Sequence, residues 1–232
     1  MSQPNNAALI VFAKVPEPGK VKTRLTELLT PAQAAGLYAA FLADALAQYT
    51  AVGVHVRLYL SPTETPMPAG IVPETTTVHT QVGADLGPRM SHAFLETFLA
   101  GYARAVIIGT DHPTLPSAFI QEAFGSLAED PYSIVIGPSE DGGYYLLGMN
   151  EFYPQVFEDM TYSQDRVFEE TIQRADTSGA GVVSVLPTWY DVDTPDELIR
   201  LIHDLPNADP SALPRTRDVL GALVKAYPAL GR

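Results

Sequence analysis

The chain has no cysteine, so disulfides, thiolate metal sites and cysteine nucleophiles are excluded. It has a single tryptophan, Trp189, and only 14 lysines and arginines against 27 acids, which gives a formal net charge of −13. Such a field repels a phosphate backbone, so a general nucleic-acid binder is not expected. No apolar run approaches the roughly 18 residues needed to span a bilayer, and the opening MSQPNN has neither the basic start nor the apolar stretch of a signal peptide. A soluble, cytoplasmic protein is the expectation. The five histidines (His55, His79, His92, His112, His203) show no metal-ligand spacing, and only His112 adjoins a candidate site. The Walker loop, the G-x-G-x-x-G fingerprint and the G-x-S-x-G elbow are all missing.

What remains is a sequence of 232 residues, 46% hydrophobic and 18% charged, of a size for one domain (residues 1–232) with a substantial core. Short apolar runs alternate with helical periodicity. Strands are expected at Ala7–Ala13, Val54–Leu60, Val78–Val82, around Val106–Ile108, at Ser133–Gly137, Tyr144–Met149 and Val182–Leu186. Helices are expected after Thr30-Pro31, after Gly87-Pro88, over 117–128, near Phe152, over 163–175 and after Thr194-Pro195, followed by a polar C-terminal helix. In the helix after Pro88, Met90, Phe94, Leu95, Phe98 and Tyr102 are expected to face inward. Alternation of this kind indicates an α/β protein with a largely parallel sheet.

The stretch Ala105-Val-Ile-Ile-Gly-Thr-Asp111 reads as a strand buried on both faces that ends on an acid. Ligands of open α/β sheets sit beyond the carboxyl ends of the strands, which puts Asp111 at the mouth of a site. A carboxylate there can bind a divalent cation that in turn holds phosphates; it can equally be a turn or cap residue.

Four of the scarce bases crowd into the loop after the first strand, Lys14-Val-Pro-Glu-Pro-Gly19-Lys20-Val-Lys22-Thr-Arg24. A strand-to-helix loop points backbone N–H groups outward, and Lys14, Lys20, Lys22 and Arg24 add charge for phosphate oxygens. A second such loop, Gln81-Val-Gly83-Ala-Asp85-Leu-Gly87-Pro-Arg89, offers glycines for close ligand approach and a Gln81 amide able to read a base edge. Asp85 as a helix cap and Arg89 as an ion-pair partner are the plainer readings there. In Glu140-Asp141-Gly142-Gly143-Tyr144, Asp141 can hold sugar hydroxyls or act as a base and Tyr144 can stack on a ring, while Asp-Gly is also a strong hairpin signal. Asp191-Val-Asp193-Thr-Pro195 superficially resembles a phosphatase nucleophile motif, but Asp193 as N-cap of the helix opening at Thr194-Pro195 is the sounder reading. If Asp191 or Asp193 faces Asp111, the pair can hold one Mg²⁺ or Mn²⁺.

Together the stretches FAKVPEPGKVKTRL, QVGADLGPRM, IIGTDHPTLP, EDGGYYLLGM and YDVDTP resemble a family of GT-A-fold nucleotide-diphospho-sugar transferases. That family was long catalogued as a domain of unknown function and is also named as the glycosyltransferase of bacterial arsenosugar biosynthesis. The likeness runs from residue 12 to 195. The first stretch is also similar to the opening loop of 2-phospholactate guanylyltransferases and, more distantly, of molybdenum-cofactor and sugar nucleotidyltransferases. The resemblance implies a single-domain three-layer α/β/α sandwich with a mostly parallel sheet and a nucleotide-sugar donor or NTP at its carboxyl edge. It implies a small-molecule acceptor, Asp111 as ligand of Mg²⁺ or Mn²⁺, and Asp193 completing that site as in the nucleotidyltransferases. The site expected on these grounds has Asp141, Lys22 and Arg24 as catalytic groups. Lys14, Gly19, Lys20, Gln81, Gly83, Asp85 and Arg89 join Lys22 and Arg24 around the nucleotide, and Gly142, Gly143 and Tyr144 join Asp141 around the sugar or acceptor. Nucleotidyl transfer and a non-catalytic nucleotide-binding module are the competing readings.

Overall fold

A computed structural model describes residues 6–162, 164–207, 209 and 211–231. Among these residues seven strands form one sheet: β1 (Ala7–Ala13), β2 (His55–Leu60), β3 (Thr77–Thr80), β4 (Arg104–Ile108), β5 (Ser133–Pro138), β6 (Tyr144–Met149) and β7 (Val182–Val185). Their spatial order is β3-β2-β1-β4-β6-β5-β7. Every pairing is parallel except those of β6, which runs antiparallel to both β4 and β5. The hairpin from β5 into β6 causes that reversal, as Asp141-Gly142 between two apolar runs requires.

The described residues form six α-helices: α1 (Pro31–Ala51), α2 (Leu86–Leu99), α3 (Ser117–Glu129), α4 (Val167–Thr177), α5 (Pro195–Asp204) and α6 (Pro214–Ala226). Side chains of a strand alternate between faces. Leu9 and Val11 of β1 therefore join Leu42, Leu46 and Tyr49 of α1 and Ile120 and Phe124 of α3, while Ile10 joins Met90, Ala93 and Phe94 of α2 on the other side. Each such buried Leu, Ile or Phe contributes about 1.5–3 kcal/mol relative to exposure. A third cluster packs α5 and α6 against the outer side of α1 through Leu37, Phe41, Leu198, Leu201 and Leu220. The result is the expected three-layer α/β/α arrangement.

Capping fixes the starts of two helices that matter for the site. Thr30 accepts from Gln33 N at 3.2 Å while the Gln33 side chain accepts from Thr30 N at 2.9 Å, with Pro31 in the first turn. Thr194 and Glu197 repeat that box at α5. The N-cap of α5 is thus Thr194 and not Asp193, because the Thr hydroxyl reaches Glu197 N and leaves the Asp193 carboxylate free to point elsewhere. Three further expectations are corrected. Leu95 is exposed, since the buried stripe of α2 runs through Met90, Phe94 and Thr97 and Leu95 falls outside it. The segment near Phe152 forms only a single 3-10 turn, Pro154–Val156. The helix expected from 163 starts at Val167, and Ser163 itself lies outside the described residues.

Candidate active site

The carboxyl ends of β1 to β5 open onto one cleft of about 660 Å³, well within the range of small-molecule sites. Its floor is set by backbone contacts between loops. Val192 N donates to Asp111 O at 2.8 Å, and Trp189 N donates to Pro138 O at 3.1 Å. The segment leaving β7 is thereby laid across the ends of β4 and β5, which brings residues near 190 beside Asp111.

Lys22 lies at the centre. Its Nζ is held between Asp111 Oδ1 and, at 2.8 Å, Asp193 Oδ1. The ammonium also stands 5.9 Å from the ring centre of Tyr38 and 5.8 Å from that of Phe41. The Lys22 side chain is only 2% exposed, whereas Asp111 and Asp193 are 42% and 41% exposed. The cation therefore sits behind the carboxylates, whose outer sides face the cleft. The backbone of Lys22 is left-handed (φ 46°, ψ 42°), an unfavourable conformation for a residue with a Cβ.

Burial pushes the Lys22 ammonium down, but the charges of Asp111 and Asp193 outweigh it and hold its pKa above the ordinary value. Burial likewise pushes the Asp111 carboxyl up, and Lys22, through charge and hydrogen bond, brings it below the usual carboxylate value. Behind Asp111, Tyr38 OH accepts from Lys14 N at 3.0 Å and meets Thr110 Oγ1 at 3.2 Å. Burial first and the Asp111 charge second raise the Tyr38 pKa to about 12, so its proton stays on. Asp191 does not join the pair: its Oδ1 lies 2.8 Å from His112 Nδ1.

The remaining expected residues divide clearly. Lys14, Lys20 and Arg24 line the cleft and are exposed, Lys20 in an ion pair with Glu17. Gln81 lines it with its amide hydrogens committed to Tyr59 O (3.0 Å) and Ala13 O (3.4 Å), so its carbonyl oxygen is what remains for a ligand. Arg89 lines it while donating from Nε to Gly83 O at 3.0 Å. Asp141, Gly143 and Tyr144 also line it. Asp141 Oδ1 accepts from Ser139 Oγ and, at 2.9 Å, from Gly143 N, which makes Asp141 the organiser of the hairpin as well as a cleft residue. The Tyr144 hydroxyl turns to Met90 Sδ at 3.7 Å.

Gly19, Gly83, Asp85 and Gly142 are outside the cleft lining. Gly83 is required for a different reason from ligand approach. A Cβ there would come 2.7 Å from Arg89 N, so the glycine lets its loop fold against the first turn of α2. Asp85 occupies the N-cap position of α2 without a side-chain cap bond. Sequence reasoning gave His112 no role and weighed Asp191 only as an alternative to Asp193 beside Asp111, and it missed Tyr38, Thr110 and Tyr162, the last of which also lines the cleft. Adjacency to Asp111 was a signal for His112 and Thr110, but Tyr38 and Tyr162 carried none.

The donor set can hold a hard divalent cation. Two carboxylates converge on one positive charge, and Mg²⁺ at nucleotide sites takes one or two carboxylates plus phosphate oxygens and water. Among the described residues no group of three or more His, Asp or Glu could hold a metal ion. Phosphate and water would have to complete the shell.

The family described as an uncharacterized protein conserved in bacteria (DUF2064) matches residues 43–164, more than half of the chain. The chain belongs to this family. The matched stretch contains Gln81, Asp111 and Asp141, while the basic loop and Asp193 lie outside it. Among solved structures, a Desulfovibrio desulfuricans G20 protein provisionally assigned as a nucleotide-diphospho-sugar transferase is 33% identical, with a TM-score of 0.86 over 96% of this chain and 98% of that one. A cytidylyltransferase from Leptospira borgpetersenii serovar Hardjo-bovis (14% identity, TM-score 0.57, 97% and 96% covered) shares the fold. So does the inositol-1-phosphate CTP transferase from T. maritima (14%, TM-score 0.53, 94% and 98% covered). No curated protein matches. The family member described here thus has the nucleotide-diphospho-sugar transferase fold, with one reversed strand in a mostly parallel sheet. Among the described residues no helix is long and apolar enough to cross a membrane.

Proposed function

We propose that the protein is a divalent-metal-dependent transferase that takes a sugar from a nucleotide-diphosphate-sugar donor to a small-molecule acceptor. The observation that carries this reading is the placement of the cleft. One lining brings together Asp111 and Asp193, the bases Lys14, Lys20 and Arg24, and Asp141 with Tyr144. The likeness to the Desulfovibrio protein supports the donor class.

In this reading the basic loop seats the diphosphate, with Arg24 able to grip two oxygens at once. Gln81 offers its remaining acceptor oxygen toward the base side. When bound at Asp111 and Asp193, Mg²⁺ or Mn²⁺ supplies neutralisation of charge that develops on the departing diphosphate. Asp141, with one carboxylate oxygen committed to the hairpin, keeps the other for an acceptor hydroxyl.

A second reading, transfer of NMP from an NTP to a phosphorylated acceptor, is favoured by one observation. Asp193 stands beside Asp111, both bonded to the Lys22 ammonium, and the resemblance to nucleotidyltransferases implies these same two acids as a metal-binding pair. Product analysis separates the two: NDP released from a sugar donor supports the first, and pyrophosphate released from an NTP supports the second. No turnover of either with acceptor candidates, despite nucleotide binding, leaves a binding module.

A further inference from the structure

We infer that Lys22 is a built-in counter-cation, which makes the Asp111–Asp193 pair a poor site for a free divalent ion and a good one for an ion already carried by a di- or triphosphate. The inference rests on the reading that this pair holds the metal. It concerns how that site is controlled.

Both contacts to Lys22 Nζ come from Oδ1 atoms, one from each carboxylate. The ammonium thus offsets one of two negative charges and shares its acceptors with any ion that enters from the cleft. Coulomb repulsion between two such cations is weakly screened in a partly buried site. The ammonium has little freedom to step aside. Its side chain is 2% exposed and walled by the rings of Tyr38 and Phe41. The backbone at Lys22 is locked in a left-handed conformation at the start of the 3-10 turn Thr23–Glu27, whose Leu25 N bonds Lys22 O at 3.0 Å. A free ion therefore meets a pair already half neutralised. A polyphosphate restores negative oxygens on the cleft side, where Lys14, Lys20 and Arg24 receive the remaining charge. Metal and phosphate binding become cooperative without any moving part.

The test is calorimetric titration of the wild type and Lys22→Met, a variant that keeps the stem between the two rings, with MnCl2 alone and with preformed Mn–pyrophosphate. The wild type should bind free Mn²⁺ at least about tenfold more weakly than the variant, and at least about tenfold more weakly than it binds Mn–pyrophosphate. In the variant the preference for Mn–pyrophosphate should shrink or vanish. The inference is overturned if Lys22→Met gains nothing for free Mn²⁺, or if the wild type binds free Mn²⁺ as tightly as Mn–pyrophosphate. Should Lys22→Met not fold, the comparison of the two ligands on the wild type still decides, and Lys22→Gln repeats the variant arm. Tighter free Mn²⁺ in the variant with no Mn–pyrophosphate binding by either protein would support the counter-cation role and overturn the phosphate reading of the cleft.

Discussion

Lys22 and Asp193 are 171 residues apart in the chain and 2.8 Å apart in the fold. One stands in the first loop and the other at the last strand-to-helix joint, so their ion pair exists only when nearly the whole sheet is assembled. Truncating Asp193 to Ala removes a partner from a buried ammonium and is expected to cost about 1–3 kcal/mol. Urea unfolding measures it, and a variant as stable as the parent would show that the pair is not held in solution.

Acidity should expose the other half of this cluster. The folded Asp111 carboxyl lies below its ordinary value because Lys22 outweighs the effect of burial. A group depressed in this way contributes stability that is fully present above the unfolded carboxylate pKa of about 3.9 and lost as pH falls through the folded value. Lys22, raised on folding, contributes below about pH 10.4 and loses that contribution only as the solution becomes more alkaline. The urea midpoint of the wild type should therefore fall steeply below about pH 4, and that of Asp111→Asn less steeply. Parallel curves would mean that Asp111 titrates normally.

Asp111→Asn should also weaken nucleotide binding only when metal is present. Titration of a nucleoside diphosphate with Mn²⁺ and then with chelator makes the comparison. Equal affinities for parent and variant in Mn²⁺ would leave Asp111 as a turn residue that pairs Lys22.

Arg24 is exposed on the cleft wall, so its truncation disturbs little packing. Arg24→Ala is expected to lose about 1.5–3 kcal/mol in nucleoside diphosphate binding, the scale of a charge-assisted bond, and to leave nucleoside binding nearly unchanged. Loss of both to the same extent would contradict a phosphate contact.

The hairpin that carries Asp141 depends on Gly142. Its φ is +86°, and a Cβ there would stand 2.0 Å from Asp165 O. Gly142→Ala should destabilise the protein by about 2–4 kcal/mol, combining backbone strain with overpacking. A shift in thermal midpoint within error of zero would show that the approach of Asp165 is not maintained in solution.

Much of this arrangement was legible in the sequence because it is local. Runs such as Ala7–Ala13 and Val106–Ile108 are too apolar for anything but interior strands, and Asp141-Gly142 between two of them could only turn back. Thr30-Pro31 and Thr194-Pro195 announce helix starts, although the sequence points to Asp193 as the cap where the fold uses Thr194, since both are good caps one residue apart. What it could not reveal is pairing over long separations. Lys22 is expected, as one base among four in an exposed-looking loop, to face phosphate; the fold instead buries it against Asp111, Asp193, Tyr38 and Phe41. The division of Asp191 to His112 and Asp193 to Lys22 likewise depends on how one loop crosses the sheet edge. Gly83 illustrates the same limit, because a glycine that admits a ligand and one that admits a neighbouring backbone look alike in sequence.

If the cleft binds a nucleoside diphosphate together with a divalent cation, thermal unfolding in the presence of UDP, GDP, CDP, ADP and the corresponding NTPs, each with Mn²⁺ or Mg²⁺, will register it. A ligand at 100 times its Kd adds about 2.7 kcal/mol to native stability, which for a domain of this size raises the midpoint by roughly 5–10 °C. One NDP with Mn²⁺ should produce such a shift, and the matching NDP-sugar should then be hydrolysed slowly without acceptor. Unchanged midpoints for every nucleotide and metal, with the protein folded throughout, would contradict nucleotide binding in this cleft.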